Sequence, residues 1–295
     1  MDKIIETIDL THYYGNKLIY ENLNFSVERG RIFGLLGKNG MGKTTTINIL
    51  MGFLRPTAGR CMIMGEDSHK LSPRTRARIG LLHEGHIQYD FMNVIQIERF
   101  YAPFFPNWKK DNYYDLVNRL GVPHKQAISS MSCGQRSQVA LGLILAQDPE
   151  LMILDDYSMG LDAGYRMLFL DFMVDYVHTF NKTVFMTSHI IQDMEKIIDD
   201  AIILGYQRLL LQMDLQEFKR SFHSYTLRLE NPVPQPLQDE RIKTMELIRD
   251  KLTVYTFMKP DEVAALFRDH NVGYQAIAEN EMSLEEAFIG LTGKY

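Results

Sequence analysis

The sequence has little cysteine, no excess of positive charge and no histidine clusters. Its two cysteines, Cys61 and Cys133, form no Cys-x-x-Cys pair, so a disulfide scaffold or a zinc ribbon is not expected. The 32 Lys and Arg residues against 37 Asp and Glu give a formal net charge of −5, which offers no electrostatic reason to expect nucleic-acid binding. A reducing compartment fits this composition best.

Long hydrophobic runs are absent as well. Residues 1–6 alternate charged and aliphatic side chains and do not resemble a signal peptide. Apolar runs such as 139–146 and 201–205 fall far short of the roughly 20 residues that a membrane-spanning helix needs. We therefore expect a chain that does not cross a membrane by itself.

The first two thirds of the chain alternate short apolar runs with helical stretches. Strands are predicted at residues 4–10, 23–27, 31–36, 78–82, 151–155, 183–187 and 201–204. Residues 14–16 read as a turn, and residues 44–54 as a buried helix that ends before Pro56. The run at 151–155 is apolar on both faces, as in a parallel sheet covered by helices. This alternation predicts an α/β domain.

Two further regions differ from this pattern. Residues 91–125 are rich in aromatics and predict a helical insert, whose rings either face a partner or form a small core of their own. Beyond the breaker cluster at 231–236, the pattern predicts strands, a helix at 261–269 and a last helix opened by a capping box at 283–286. The predicted organisation is a large α/β domain at 1–218, with a helical subdomain at about 86–145, and a small α+β accessory domain at 219–295.

The strongest chemical signal is the segment 37–44, GKNGMGKT, which matches the P-loop pattern between a strand and a helix. Its glycines let backbone N–H groups surround phosphates at the helix N-terminus. Lys43 would reach the β- and γ-phosphates, and the Thr44 hydroxyl would bind Mg²⁺.

A second signal is a pair of consecutive acids, Asp155 and Asp156, that directly follows the apolar run 151–154. Asp155 is suited to hold Mg²⁺, directly or through water. Asp156 would orient or deprotonate the attacking water. Together, the two signals predict a nucleoside triphosphatase.

Five more segments resemble the motifs of ABC transporter ATPases. Residues 131–135, MSCGQ, look like the signature loop, and residues 158–162, SMGLD, look like the D-loop. His189 follows an apolar strand as the switch histidine does, and Glu84 stands at the Q-loop position. Tyr14 stands at the A-loop position. The chain is similar to this family over residues 4 to about 215.

The resemblance implies a head-to-tail dimer, homomeric or heteromeric, with ATP and Mg²⁺ between the P-loop of one subunit and the signature of the other. It implies catalytic roles for Asp156, His189 and Glu84, and a metal site formed by Thr44, Asp155 and Glu84. The implied nucleotide contacts are Tyr14, Gly37, Asn39, Gly40, Gly42, Lys43, Thr44, Thr45, Ser132, Gly134, Gln135 and Asp162.

The resemblance also implies separate integral membrane permease subunits and a peripheral location on the cytoplasmic face of the membrane. Residues 106–108 and the ending at 283–288 look like the exporter-like ABC-2 branch, which would make the chain an export ATPase. Two alternatives remain open: a soluble, non-transport ABC ATPase and a regulatory subunit that hydrolyses ATP weakly.

Four departures from the family pattern bear on activity. Asp156 replaces a glutamate and withdraws the carboxylate by one methylene, and a displacement near 1 Å can cost about a hundredfold in rate. We therefore expect slow hydrolysis with intact ATP binding, unless the loop shifts to compensate. Glu84 replaces a glutamine and is not expected to inactivate the site. Cys133 replaces a signature glycine, and Tyr157 and Ala163 replace prolines beside the D-loop.

Overall fold

A computed structural model describes residues 2–83, 89–119, 121–158, 161–230 and 239–294. Contacts divide the chain into two compact units. The first consists of Met1–Ile190 and Ile197–Leu211, and the second of Ile191–Lys196 and Gln212–Tyr295. The sequence pattern predicted a division after residue 218, whereas the contacts divide the chain before Gln212. The role of the second unit as an accessory domain stays a prediction.

The elements follow one another along the chain in this order. The early elements are β1 Lys3–Tyr14, β2 Lys17–Glu28, β3 Ile32–Gly37, α1 Lys43–Leu50, β4 Ala58–Ile63, β5 Glu66–Asp67, α2 Pro73–Arg76 and β6 Ile79–Leu82. The middle elements are α3 Val94–Tyr101, α4 Lys110–Arg119, α5 Cys133–Ala146, β7 Leu151–Leu154, α6 Ala163–Phe180, β8 Thr183–Met186, α7 Ile191–Met194, β9 Asp200–Gly205 and β10 Arg208–Asp214. The last elements are α8 Leu215–Ser221, β11 His223–Leu229, β12 Ile242–Ile248, β13 Lys251–Thr256, α9 Pro260–Asp269, β14 Tyr274–Asn280 and α10 Leu284–Thr292.

The first unit is built on a sheet with the strand order β10-β9-β3-β8-β7-β6. The neighbours from β9 to β6 pair in parallel, and every residue of β7 and β8 is buried. The predicted α/β class with a buried parallel sheet is therefore confirmed. Because the strands are parallel, the residues that follow β3, β7 and β8 meet at one edge of this sheet.

A second sheet, with the order β2-β1-β4-β5, is antiparallel. The predicted turn joins β1 to β2, with Tyr14 opposite Lys17. Strands β4 and β5 were not anticipated from the sequence. The first three residues of β4 are exposed and β5 has only two residues, so neither gives a periodic apolar signal.

Helix α1 ends earlier than the sequence pattern predicted. Gly52 adopts a left-handed φ of 73°, and the Phe53 N–H donates to the Asn48 carbonyl at 2.8 Å, which closes the helix in the manner of a glycine C-cap. A Cβ at Gly52 would lie 2.6 Å from the Ser68 carbonyl oxygen. The helix therefore ends at Leu50, just ahead of Gly52, instead of continuing to residue 54.

The predicted helical insert at 91–125 contains α3 and α4, which pack with α5 of the predicted helical subdomain. Tyr113 is fully buried and donates from its hydroxyl to the Val94 carbonyl at 2.9 Å. Its buried neighbours include Ile97, Val117, Val139 and Leu143. The buried rings of the insert therefore belong to a core that the insert shares with α5.

Other aromatics of the insert remain on its surface. Phe91 and Phe104 are 71% and 66% exposed, and Tyr89 is 41% exposed. Ring contacts of Phe100 with Tyr89 at 4.8 Å and with Phe104 at 5.6 Å, and of Tyr89 with Phe91 at 6.3 Å, join them into one surface, here termed the aromatic patch. The prediction that some aromatics of the insert face a partner concerns these exposed rings and stays a prediction.

The second unit contains an antiparallel sheet with the order β12-β13-β11-β14. Its core includes Tyr225, Val254, Val263 and Phe267. The predicted capping box opens α10: the Ser283 hydroxyl accepts from the Glu286 N–H at 3.2 Å, and the Glu286 carboxylate accepts from the Ser283 N–H at 2.8 Å. No helix in the described part of the chain is long and apolar enough to span a bilayer.

The packing of α5 on the parallel sheet makes a testable prediction at Gly80. A Cβ added there would lie 2.5 Å from the Ile144 Cγ2 and 3.1 Å from the Pro149 Cγ. We expect Gly80→Ala to lower the free energy of unfolding by about 1–3 kcal/mol, because side chain and backbone must shift to admit it.

The matched control is Gly164→Ala in α6, where the nearest atom to the new Cβ is the Asp162 Oδ1 at 3.5 Å. This variant should be neutral or gain up to about 1 kcal/mol from helix propensity. Urea denaturation followed by circular dichroism measures both. Equal midpoints for the two variants would contradict the packing described.

Candidate functional site

The P-loop follows β3 and runs into α1. Gly42 adopts a φ of 97° immediately before the helix, and a Cβ there would lie 2.7 Å from the Ile19 Cγ2 and 2.8 Å from the Tyr20 ring. Only glycine fits this close approach to β2. Among the described residues no side chain caps α1 and its first turn holds no acid, so its N–H groups remain available to an anion.

Lys43 is held by the loop that surrounds it. Its Nζ donates to the Gly37 carbonyl at 2.6 Å and to the Lys38 carbonyl at 3.3 Å. Burial lowers the pKa of Lys43, and the nearby carboxylates of Asp156 and Asp155 partly offset that effect. If a phosphate were bound, the Lys43 ammonium would donate to it in place of these carbonyls, in a stronger, charge-assisted hydrogen bond.

Asp155 lies directly after β7 and is 2% exposed. Its Oδ1 accepts from the Thr187 hydroxyl at 3.0 Å and from the Thr44 hydroxyl at 3.5 Å. Its Oδ2 is buried without a hydrogen-bond partner in the described part of the chain. Burial raises the pKa of Asp155, while the Thr187 hydrogen bond acts in the opposite direction.

An unsatisfied buried carboxylate oxygen beside a threonine hydroxyl fits a divalent cation with oxygen ligands. Thr44 and Asp155 are therefore suited to hold Mg²⁺. Glu84, the third predicted ligand, lies outside the described residues, so its predicted metal and catalytic roles stay predictions.

Asp156 has an unusual backbone conformation with a φ of 44°. Its N–H donates to the Thr187 hydroxyl at 2.8 Å, and its Oδ2 lies 3.2 Å from the His189 Nε2. Left-handed φ values are several-fold enriched in Asp and Asn among residues other than glycine. The backbone at this position therefore suits the shorter acid that stands where the family has glutamate.

These groups line one cavity of about 440 Å³ within the first unit, here termed the nucleotide cavity. Its lining residues are Tyr14, Lys17, Ile19, Asn39, Gly40, Gly42, Lys43, Thr44, Thr45, Asp155, Asp156, Thr187, Ser188 and His189. The structure thus brings the predicted A-loop, P-loop, acidic pair and switch histidine together. Gly37 takes part through its carbonyl contact with Lys43. The individual roles of these residues stay predictions.

Tyr14 is half exposed at the mouth of the nucleotide cavity. Its hydroxyl lies 3.5 Å from the Thr45 Oγ1, and the His12 ring meets its ring edge-on at 4.7 Å. Lys17 and Ile19 line the cavity but were missed from the sequence. The two-residue turn after Tyr14 places Lys17 opposite it, so the hairpin register was a signal that could have found Lys17.

The signature residues do not line the nucleotide cavity of their own chain. Ser132 caps α5: its hydroxyl accepts from the Gln135 N–H at 3.2 Å, and the Gln135 side chain accepts in return from the Ser132 N–H at 3.1 Å. A Cβ at Gly134 would lie 2.7 Å from the Tyr165 ring, so glycine is required there. Cys133 between them is exposed.

Asp162 is likewise absent from the cavity lining and caps α6, accepting from the Tyr165 N–H at 3.0 Å. The separation of the signature and Asp162 from the P-loop is what a site shared between two chains requires. The dimer itself stays a prediction.

Tyr157 and Ala163, which stand in place of prolines beside the D-loop, both fit their positions in the structure. Tyr157 is buried and stacks on Phe169 with ring centroids 4.9 Å apart. Ala163 is the first residue of α6, a position where proline and alanine are both compatible with a helix.

Comparison with known proteins bears directly on this site. Residues 20–158 match the family model described as ABC transporter. The chain is 29% identical to the bacitracin transport ATP-binding protein of Bacillus licheniformis, covering 99% of this chain and 98% of that protein. It is 25% identical to the Nod factor export ATP-binding protein I of Cupriavidus metallidurans, covering 100% of this chain and 99% of that protein.

A solved structure of an ATP-binding subunit of an ABC transporter has the same fold. It superposes with a TM-score of 0.65 at 23% identity, covering 74% of this chain and 92% of that one. The family resemblance seen in the motifs is confirmed by these matches. With a P-loop and an acidic pair beside His189 in one cavity, the chain contains an ABC transporter ATPase domain, which the family model matches over residues 20–158.

Proposed function

We propose that the chain is the energy-coupling subunit of an exporter, working as a dimer on the cytoplasmic face of a membrane beneath separate permease subunits. The observation that carries this proposal is the meeting of the P-loop, Asp155 and the Asp156–His189 pair in one cavity. The absence of the signature from that cavity supports a second chain completing the site.

In this proposal each side chain has a defined task. Lys43 and the N–H groups of α1 bind the β- and γ-phosphates, and Tyr14 stacks on the adenine ring. Thr44 and Asp155 would hold Mg²⁺, which neutralises charge on the β- and γ-phosphates when bound. Asp156 orients the attacking water and accepts its proton, while His189 donates to the γ-phosphate and leaves the Asp156 Oδ2 free for that water.

Export is supported by the names of the relatives, one for bacitracin transport and one for Nod factor export. A permease contact is supported by the aromatic patch on the helical insert, because exposed Phe residues in one cluster are typical of interface anchors. The membrane subunit would determine the cargo and the direction of transport, so the support for export comes from the names of these relatives.

ATP turnover at Asp156 tests the catalytic assignment. We expect the native chain to hydrolyse ATP slowly and Asp156→Asn to lose about a hundredfold in kcat with unchanged ATP affinity, because the amide cannot accept a proton. Asp156→Glu should be no faster than the native chain, since the left-handed backbone suits the shorter acid. Lys43→Ala serves as the control that loses ATP affinity itself.

The opposite pattern would overturn this assignment. A native chain as inactive as Asp156→Asn, combined with an active Asp156→Glu, would identify a regulatory subunit that depends on a different ATPase partner.

The aromatic patch can be tested by co-purification from the native membrane. We expect the double variant Phe91→Ser and Phe104→Ser to lose about 2 kcal/mol of binding, roughly thirtyfold in affinity for its permease. ATP turnover of the isolated chain should not change. Phe53→Ser is the matched control, because Phe53 is also 61% exposed but lies outside the patch. Equal recovery of the permease with both proteins would argue against the patch as the docking surface.

A further inference from the structure

The Asp156 carboxylate is held from both sides. His189 approaches its Oδ2, whereas its Oδ1 accepts from the Ser158 hydroxyl at 2.9 Å. Ser158 is 7% exposed and does not line the nucleotide cavity. Ser158 therefore contacts Asp156 from a buried position outside the cavity lining.

A second hydroxyl determines where the Ser158 proton points. The Ser188 Oγ lies 3.1 Å from the Ser158 Oγ, and it accepts from the Ile190 N–H at 3.0 Å. An ionised carboxylate only accepts hydrogen bonds, so the single Ser158 proton is directed at Asp156 and the Ser188 proton at Ser158. The chain thus runs in one direction, from a backbone N–H through two serines to the carboxylate.

We infer that Ser158 is a positioning residue for Asp156, and that Ser188 orients Ser158. The chain of hydroxyls fixes the Oδ1 and turns the Oδ2 toward the nucleotide cavity. This inference rests on the proposed function of Asp156 as the group that acts on water. Chains of hydrogen bonds polarise one another in a buried site, which strengthens the restraint.

Single-turnover hydrolysis with the full chain in excess over ATP tests this role. We expect Ser158→Ala to lower the rate of the chemical step about tenfold to a hundredfold while ATP affinity stays unchanged, because only the orientation of the carboxylate is lost. Ser158→Thr keeps the hydroxyl and should restore the native rate. Ser221→Ala is the matched control: the Ser221 Oγ donates to the Glu217 carbonyl at 2.8 Å within α8 of the second unit.

The outcomes separate the two proposals. A native rate in Ser158→Ala, or a loss that Ser158→Thr does not reverse, overturns the positioning role while the ATPase assignment stands. A native chain that binds ATP without turning it over overturns the proposed function.

If the native chain binds ATP without turning it over, a second measurement tests the positioning role of Ser158. The nuclear magnetic resonance signals of the His189 ring, which shares the Asp156 carboxylate, should shift in Ser158→Ala and not in Ser221→Ala. Unmoved signals in both variants would overturn the role of Ser158.

Discussion

The functional site depends on the parallel pairing of β3, β8 and β7. Their register places Ile32 beside Val184, and Leu154 beside Met186, so the three strands end at the same edge of the sheet. The P-loop, the acidic pair and the Thr187–His189 segment each continue from one of these ends. The backbone hydrogen bonds between these buried strands therefore determine which loops are in contact. They bring the buried Asp155 beside Thr44, although the two residues are far apart in the sequence.

The burial of Asp155 gives this arrangement its chemical character. An unpaired carboxylate oxygen inside a protein costs free energy unless a hydrogen bond or a cation satisfies it. Here the Oδ1 has two hydroxyl partners and the Oδ2 has none among the described residues. A divalent cation, as in the proposed complex with Mg²⁺ and ATP, would satisfy this oxygen.

Much of this site was predictable from the sequence, for a physical reason. The P-loop and the apolar runs before Asp155 and His189 are local signals, read from residues that are adjacent in the chain. The antiparallel strands β4 and β5 were not predictable because their pairing is long-range and their apolar content is small. The left-handed backbone of Asp156 and the hydroxyl partner of its carboxylate depend on the folded loop, which no periodicity reports.

The walls of the nucleotide cavity come from two different sheets. Tyr14, Lys17 and Ile19 belong to the antiparallel sheet, whereas the P-loop, Asp155 and His189 continue from the parallel one. A molecule that fills the cavity therefore contacts both sheets. A ligand that binds there and not to the unfolded chain raises the free energy of unfolding of the first unit. The proposed nucleotide would therefore stabilise the fold in addition to serving as the substrate.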